Sequence, residues 1–282
     1  MEQTHDSSGR LARFVDSHPV VAFFAVAFAY SWAVFGVLFA AVGSETLGDS
    51  RLWQIPFAWG PLAGALVVGH VRHGDARTWL ESVADPRTGL RWYALAAVVA
   101  FLYADAGHVA AALAGVAVTP LPLEDVAFDF AVTLAVAGSI EEFGWRGFAQ
   151  PHLQERYDAL RGAIVVGVAV GIWHYPWLLL AGEGYEEAGI GALLALPFLM
   201  VLMAVIFAWL FNGSGGAIPV VMLGHAVFNA TPAFEFVADG PGWAAALGLL
   251  VWLGLLVGLP LVFGREYLAP RSPGTLFSGK ES

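Results

Sequence analysis

The sequence predicts an all-α, polytopic membrane protein with about eight transmembrane helices. Hydrophobic residues make up 58% of the 282 positions and charged residues only 13%, which is about half the charged share of soluble domains. A soluble fold of this size could not bury so much apolar surface, so lipid must cover much of it. The apolar residues are also grouped in runs of about 20, the length that spans a bilayer as a helix.

Eight such apolar runs follow one another, and each is predicted to form one spanning helix. Some carry glycines four residues apart, a spacing that lets membrane helices pack closely. These pairs are Gly60 with Gly64, Gly167 with Gly171, and Gly254 with Gly258. No linker or repeat interrupts the series, which predicts a single domain over residues 1–282. The predicted spans are residues 19–42, 53–71, 92–118, 126–150, 162–181, 190–211, 217–237 and 243–263.

The basic residues predict that both termini lie in the cytoplasm. The chain has 13 arginines and lysines, which concentrate in the cytoplasmic loops of membrane proteins. With eight spans, only Arg51 falls in a loop on the opposite side. The N-terminal Arg10 and Arg13 then share a side with Arg271 and Lys280 after the last span. We therefore expect a multi-pass protein of the cell membrane with an even number of helices.

Two features of the composition exclude other classes of function. Cysteine is absent, which excludes disulfides, thiolate metal sites and cysteine nucleophiles. The formal net charge is -10, which argues against nucleic acid as a partner, because proteins that bind nucleic acid present basic patches. The expected surroundings of the chain are membrane lipid.

Ionisable residues inside three predicted spans are the strongest signal of a functional site. A charge at mid-membrane costs about 3 kcal/mol or more, so each one requires a reason. The fourth, fifth and seventh spans contain, in order, Glu141 with Glu142 and Arg146, His174, and His225 with Asn229. Glu141, His174 and His225 lie about 14–18 Å from the cytoplasmic ends of their helices, at about 1.5 Å per residue. Side chains that serve only packing would not share a depth, so we expect one site.

The spacing along each helix indicates which side chains face each other. His225 and Asn229 are four residues apart and so lie on one helix face, as do Glu142 and Arg146. An ion pair between Glu142 and Arg146 would neutralise one carboxylate and leave Glu141 free. The same pair is equally compatible with a purely structural role.

Two kinds of chemistry fit these groups. Glu141, His174 and His225 are the ligand types of a catalytic zinc with one open position, which makes a divalent metal such as Zn²⁺ a candidate cofactor. Without a metal, Glu141 would act as the general base for water and His174 would orient that water. His225 and Asn229 would then donate hydrogen bonds to an oxyanion. The residues themselves leave both alternatives open.

The polar residues inside the predicted spans also have non-catalytic interpretations. Asp105 and His108, three residues apart in the third span, are interpreted as a structural or supporting pair. Intramembrane carboxylates and histidines also build proton relays. A non-enzymatic membrane transporter or a bacteriocin-immunity-type peptide-binding protein is therefore the alternative to an enzyme. A scaffold whose polar cluster only fixes helix packing is a third possibility.

The three motifs together resemble the CPBP/Abi family of intramembrane proteases, which includes the type II CAAX prenyl endopeptidases. That family carries Glu-Glu-x-x-x-Arg on one helix, Phe-x-x-x-His on a second, and His-x-x-x-Asn or His-x-x-x-Asp on a third. The first motif matches at Glu141, Glu142 and Arg146, and the third matches at His225 and Asn229.

The second motif matches in part. His174 is present, and Val170 stands where the family usually has phenylalanine. That position is one of packing, so the change leaves the chemistry in place. The order and spacing of the motifs agree with the family over a core of about residues 126–237.

The resemblance implies an eight-helix bundle whose cavity opens to the cytoplasm and the bilayer, with all six motif residues as candidates for the catalytic site. It implies peptide-bond hydrolysis in which Glu141 and His174 activate water while His225 and Asn229 stabilise the oxyanion. The family is called a metalloprotease family, which keeps the metal hypothesis open. Prenyl-protein processing is its best-known activity, so a peptide or prenylated protein near the membrane surface is the implied substrate.

Overall fold

A computed structural model describes residues 3–48, 50–73, 76–180, 189–237 and 240–270 of the chain. Arg271 and Lys280, which contribute to the predicted orientation, lie outside these ranges, as does residue 181 at the predicted end of the fifth span. The described part is almost entirely helical, which confirms the all-α class.

Helices and one short strand pair make up the regular structure. A 3₁₀ turn at Arg51–Gln54 and a π-helical turn at Trp145–Ala149 accompany the α-helices. Strands β1 (Val118–Pro120) and β2 (Phe234–Phe236) pair antiparallel. The α-helices, in chain order, are α1 (Gln3–Ser17), α2 (Pro19–Gly48), α3 (Ile55–Ala58), α4 (Gly60–His73), α5 (Ala76–Val83), α6 (Leu90–Leu113), α7 (Leu123–Ala135), α8 (Gly138–Gly144), α9 (Gln150–Gln154), α10 (Ala159–Trp173), α11 (Tyr175–Leu180), α12 (Ile190–Gly213), α13 (Ile218–Asn229) and α14 (Gly242–Phe263).

Six helical runs in the described ranges are long and apolar enough to cross a membrane, which agrees with a polytopic membrane protein. They are Pro19–Gly48, Leu52–Arg72, Leu90–Leu113, Ala159–Leu180, Ile190–Gly213 and Gly242–Phe263. The other two predicted spans, residues 126–150 and 217–237, are not single helices of that length. The count of eight and the cytoplasmic position of both termini therefore stay predictions.

The predicted fourth span is divided into short segments. Helix α7 ends at Ala135, and the backbone leaves helical angles at Val136 (φ -144°, ψ -7°) and Ala137 (φ -112°, ψ -120°). Helix α8 begins at the next residue, Gly138, and continues through the π-helical turn into α9. A π-helical turn disturbs the regular hydrogen-bond ladder and occurs frequently at functional sites.

Prolines account for the ends of two other helices. Helix α10 stops at Trp173 and α11 starts at Tyr175, because Pro176 has no N–H to continue the hydrogen-bond ladder. Helix α13 stops at Asn229, shortly before Pro232, which disfavours helical angles in the residue ahead of it. Each of the three motifs thus places a polar side chain at or close to a helix end.

Helix α12 forms the centre of the bundle and is buried throughout residues 202–212. Helix α10 lies along it so closely that a Cβ at Gly167 or Gly171 would meet the backbone of Val201 or Pro197. The predicted close packing at this pair of glycines is confirmed. It places the end of α10, and with it His174, against the central helix.

The other two glycine pairs have different outcomes. A Cβ at Gly60 or Gly64 would meet atoms of α2, including the backbone oxygens of Ala27 and Phe23, so close packing is confirmed there too. The prediction is wrong for Gly254 and Gly258 within the described part of the chain, because a Cβ at either position would meet none of its atoms within 4 Å.

Candidate active site

Glu141, His174, His225 and Asn229 line one cavity of about 330 Å³. They come from α8, the end of α10, and α13, the three helices to which the motifs were assigned. The structure therefore brings these four side chains to one cavity, and their catalytic roles stay predictions. Glu142 and Arg146 are buried behind the cavity wall, with 0% and 1% of their side chains exposed.

The indole of Trp145 fixes the carboxylate of Glu141. Nε1 of Trp145 donates a hydrogen bond to Oε2 of Glu141 over 3.2 Å. The tryptophan is itself fully buried and packs edge-on against Trp173 and Phe23, with ring centroids 5.7 Å and 5.5 Å apart. One oxygen of Glu141 is thus held in place by a side chain that cannot move easily, while the carboxylate reaches the cavity.

Glu142 joins the first motif to the third. Its Oε1 lies 2.7 Å from Nδ1 of His225. Nη1 of Arg146 donates to both carboxylate oxygens, over 3.0 Å to Oε2 and 3.2 Å to Oε1. The predicted pair of Glu142 with Arg146 is present, and the carboxylate also binds His225. Because a fully buried carboxylate requires a charge partner and hydrogen bonds, both contacts offset the cost of burying it.

Phe207 of the central helix supports both partners of Glu142. The guanidinium of Arg146 stacks over its ring at 5.0 Å, a favourable position for a desolvated cation. The ring of His225 also contacts Phe207, with centroids 5.6 Å apart. The positions of Arg146 and His225 are therefore fixed by one carboxylate and by one aromatic ring.

His174 is oriented by the backbone of its own helix. Its Nδ1 lies 2.8 Å from the carbonyl oxygen of Val170. Because a carbonyl can only accept, we assign the hydrogen to Nδ1, which leaves the lone pair on Nε2 in the neutral ring. Val170 contributes its backbone to this bond, so valine in place of phenylalanine does not disturb it. His174 can therefore accept a hydrogen bond in the cavity.

A hydroxyl group sets the register between α8 and α13. Oγ of the fully buried Ser139 donates to the carbonyl oxygen of Met222 over 2.8 Å, one helical turn before His225. Since Nδ1 of His225 is bound to Glu142, Nε2 is its remaining polar atom. Asn229, one turn further along α13, lines the same cavity.

Large aromatic side chains form much of the remaining wall. The ring of Phe57 lies 4.2 Å from that of Trp173 and 5.8 Å from that of Trp177, between centroids. Met200 and Phe228 also line the cavity. Such rings present wide apolar surfaces, so the cavity suits a ligand that combines a small polar group with an apolar portion. Aromatic residues recur in every span, so the sequence alone could not assign these to the site.

The donor atoms do not assemble a metal centre. Within the described residues, no group of three His, Asp or Glu side chains is arranged to hold a metal ion. Glu141, His174 and His225 share a cavity, and Nδ1 of each histidine is bound, to Val170 and to Glu142, which leaves Nε2 as the ring nitrogen that could bind a metal. Because the three side chains are not grouped closely enough in the described structure to form the predicted ligand set, participation of a metal stays a prediction.

The side chain of Asp105 binds the segment that follows the C-terminal end of α13, and it does not line the cavity. Its side chain is fully buried, and both carboxylate oxygens accept from the backbone N–H of Ala233, over 3.2 Å and 3.1 Å. Nδ1 of His108 lies 3.4 Å away, in agreement with the predicted supporting pair. Ala233 follows Asn229 by four residues, so Asp105 anchors the segment that ends this helix. Nothing in the spacing of the sequence indicated that contact.

Comparison with known proteins identifies the segment that carries the site. Residues 123–231 match the family described as Rce1-like, type II CAAX prenyl endopeptidase. This range contains all six motif residues. The chain is also 28% identical over 99 residues to CAAX prenyl protease 2 of Methanococcus maripaludis. That match covers 34% of this chain and 36% of the relative, so the chain spans about a third of the length of the curated relative it matches.

Both comparisons agree with the resemblance found in the three motifs. The matched range begins at the start of α7 and ends just after α13, the helices that surround the cavity together with α8 and α10. Over this segment, the chain is similar to the Rce1-like family of type II CAAX prenyl endopeptidases.

Proposed function

We propose that the protein is an intramembrane endopeptidase that hydrolyses a peptide bond in the cavity lined by Glu141, His174, His225 and Asn229. The observation that supports this most strongly is the meeting of these four polar side chains in one cavity that aromatic side chains also line. They provide what amide hydrolysis requires, namely a base, a group that orients water, and donors for an oxyanion.

Glu141 is the general base in this proposal. A water molecule between Glu141 and Nε2 of His174 gives one proton to the carboxylate while its oxygen attacks the carbonyl carbon of the substrate. His174 accepts a hydrogen bond from the second hydrogen, which stays on the water oxygen, and so directs the attack. Trp145 keeps the carboxylate in position, which reduces the entropy lost in reaching the reactive arrangement.

Asn229 and His225 stabilise the oxygen that becomes negative in the tetrahedral intermediate. Nδ2 of Asn229 is a donor in any protonation state. Nε2 of His225 donates when both ring nitrogen atoms carry a hydrogen, and the carboxylate of Glu142 holds the ring in place through Nδ1. Loss of one such donor typically lowers kcat by about 10²–10³-fold.

The tetrahedral intermediate then breaks down, and Glu141 gives the proton that it took from water to the leaving amine. The C–N bond breaks, its electron pair goes to nitrogen, and the Glu141 carboxylic acid protonates the leaving amine. The products are a new carboxyl terminus and a new amino terminus. Glu141 is again a carboxylate, so every atom and proton of the consumed water is accounted for.

The aromatic wall supports an apolar substrate group near the reacting bond. Phe57, Trp173 and Trp177 form a continuous ring cluster beside Glu141 and His174. A prenylated peptide, the substrate class in the name of the relative from M. maripaludis, has that chemistry. We therefore propose C-terminally prenylated, CAAX-like peptides as the substrate class, presented from the membrane.

Cleavage of a membrane-presented peptide library tests this function. Purified protein in liposomes receives the library with and without a C-terminal prenyl group, and products are identified by mass spectrometry. Wild type is compared with Glu141→Ala and with Glu124→Ala, which removes an exposed carboxylate in the first turn of α7. We expect cleavage by wild type and Glu124→Ala, none by Glu141→Ala, and preference for prenylated peptides.

The other outcomes distinguish the alternatives. Glutamate-dependent cleavage without preference for prenyl groups would retain the protease and exclude the substrate class. No cleavage by folded wild type would contradict the protease and favour a transporter or a bacteriocin-immunity-type peptide-binding protein.

A further inference from the structure

Gly138 lies at the point where the two oxyanion donors converge. It is the first residue of α8, is buried, and lines the cavity three residues before Glu141. A Cβ at this position would lie 2.6 Å from Nε2 of His225 and 2.9 Å from Nδ2 of Asn229. Any larger residue would therefore place a methyl or methylene group against both nitrogen atoms.

Backbone conformation does not explain this glycine. The glycines with positive φ in the described chain are at other positions, so an L-residue could adopt the backbone angles of Gly138. A glycine at the start of a helix also costs conformational entropy relative to alanine. The reason for its presence must lie in the surrounding space.

Close helix packing does not explain it either. At Gly144, Gly167 and Gly171, a Cβ would meet backbone atoms of a neighbouring helix. At Gly138 the three nearest atoms belong to the side chains of His225 and Asn229. The space beside Gly138 is thus bounded by the polar ends of two functional side chains and not by a packed backbone.

We propose that Gly138 is a positioning residue for the reaction: its missing side chain leaves room for the substrate's carbonyl oxygen between Nε2 of His225 and Nδ2 of Asn229. This inference rests on the proposed function. A Cβ would fill that room or push one of the two nitrogen atoms away. The donors stabilise the oxygen mainly as its negative charge develops, so the loss should fall on kcat more than on KM.

The test compares Gly138→Ala with Gly224→Ala. Gly224 precedes His225 on α13, and a Cβ there would make only ordinary contacts, 3.5 Å to Leu210 and 3.6 Å to Ala96. We expect Gly138→Ala to lower kcat about 10²-fold or more, as for loss of an oxyanion donor, with KM changed less than about threefold. Gly224→Ala should keep wild-type kinetics. The cleavage rate of each variant is divided by its folded fraction, which thermal melting provides.

A double-mutant cycle with Asn229→Ala separates a local effect from a general one. If Gly138 acts through the donors, Gly138→Ala should cost much less in the Asn229→Ala background than in wild type, because substitutions with a shared partner are not additive. Equal losses in both backgrounds would contradict the inference. A loss of activity in Gly138→Ala that is fully explained by its smaller folded fraction would also contradict the inference. A wild-type kcat in Gly138→Ala would contradict it as well. An inactive wild type would instead overturn the proposed function, and this inference with it.

Discussion

Nδ1 of His225 lies 2.7 Å from Oε1 of Glu142, although 83 residues separate them in the chain. The same carboxylate binds Arg146, so one buried group connects the helix of the proposed base to the helix of the proposed oxyanion donors. The second glutamate of the motif thus has different contacts from the first. It orients the ring of His225 through Nδ1, while Glu141 lines the cavity.

Removing Glu142 should affect stability and activity through different partners. Glu142→Ala leaves the buried guanidinium of Arg146 unpaired, and we expect a loss of about 3–5 kcal/mol in the free energy of unfolding. The double substitution Glu142→Leu with Arg146→Met removes both charges and should recover most of that stability. It should not recover cleavage, because Nδ1 of His225 still lacks its acceptor.

Thermal unfolding in detergent and the cleavage rate, measured on the same preparations, check this separation. A double variant that regained wild-type cleavage would show that Glu142 acts only as the partner of Arg146. A double variant as unstable as Glu142→Ala would contradict the ion-pair account of its stability.

Trp145→Phe should slow cleavage without unfolding the protein, because Glu141 loses the donor that holds its carboxylate in position. The change removes the donor to Oε2 of Glu141 and keeps most of the aromatic packing. Because a hydrogen bond to a charged group contributes about 1.5 kcal/mol or more, we expect a rate loss of about tenfold. Trp209→Phe is the control, since Nε1 of Trp209 has no hydrogen-bond partner in the described structure. Equal rates for the two variants would contradict this role of Trp145.

Replacing Asp105 by a residue without an acceptor oxygen should lower both the stability and the cleavage rate of the protein. Asp105→Ala leaves the N–H of Ala233 without its partner, and we expect a loss of about 1–3 kcal/mol in stability together with reduced cleavage. Asp105→Asn keeps an acceptor and should lie close to wild type. Melting temperature and cleavage rate are measured for both. If the two variants behaved alike, the contact with Ala233 would not be what Asp105 contributes.

Close packing of α10 on α12 should make Gly171 intolerant of a side chain. A Cβ there would meet backbone atoms of Pro197, and such overpacking costs about 1–3 kcal/mol. Gly254→Ala in α14 is the matched control, because its Cβ would meet no atom of the described residues within 4 Å. Thermal melting compares the two. A Gly171→Ala protein as stable as Gly254→Ala would contradict the predicted clash.

Chelation tests the metal hypothesis directly. Because the arrangement of Glu141, His174 and His225 does not fit a metal centre, we expect cleavage to persist after treatment with a strong zinc chelator and dialysis. Metal content is measured on the same sample to verify removal. Loss of cleavage that returns on addition of Zn²⁺ would favour the zinc ligand set instead.

Much of the site could be predicted because helical spacing and membrane depth are regular. The pairing of Glu142 with Arg146 follows from a spacing of four residues, and the shared depth of Glu141, His174 and His225 follows from a constant rise per residue. The all-α class follows from apolar runs of spanning length.

The remainder depends on contacts between helices and on irregular backbone. The runs at residues 126–150 and 217–237 are apolar enough to suggest single spans, but Val136, Ala137 and Pro232 interrupt regular helix there. The contact of Glu142 with His225 depends on how α8 rotates against α13, which Ser139 sets through Met222. A periodic pattern within one helix carries no information on that rotation.

The cleavage rate of Glu141→Gln, per folded molecule and on a substrate that wild type cleaves, tests the central claim most directly. Glutamine has nearly the same shape, and its amide oxygen can still accept from Trp145, but it cannot take a proton from water. We predict a folded protein that binds the substrate with wild-type affinity and cleaves it at a rate at least about 10²-fold lower. Cleavage by Glu141→Gln at the wild-type rate would contradict the assignment of Glu141 as the general base.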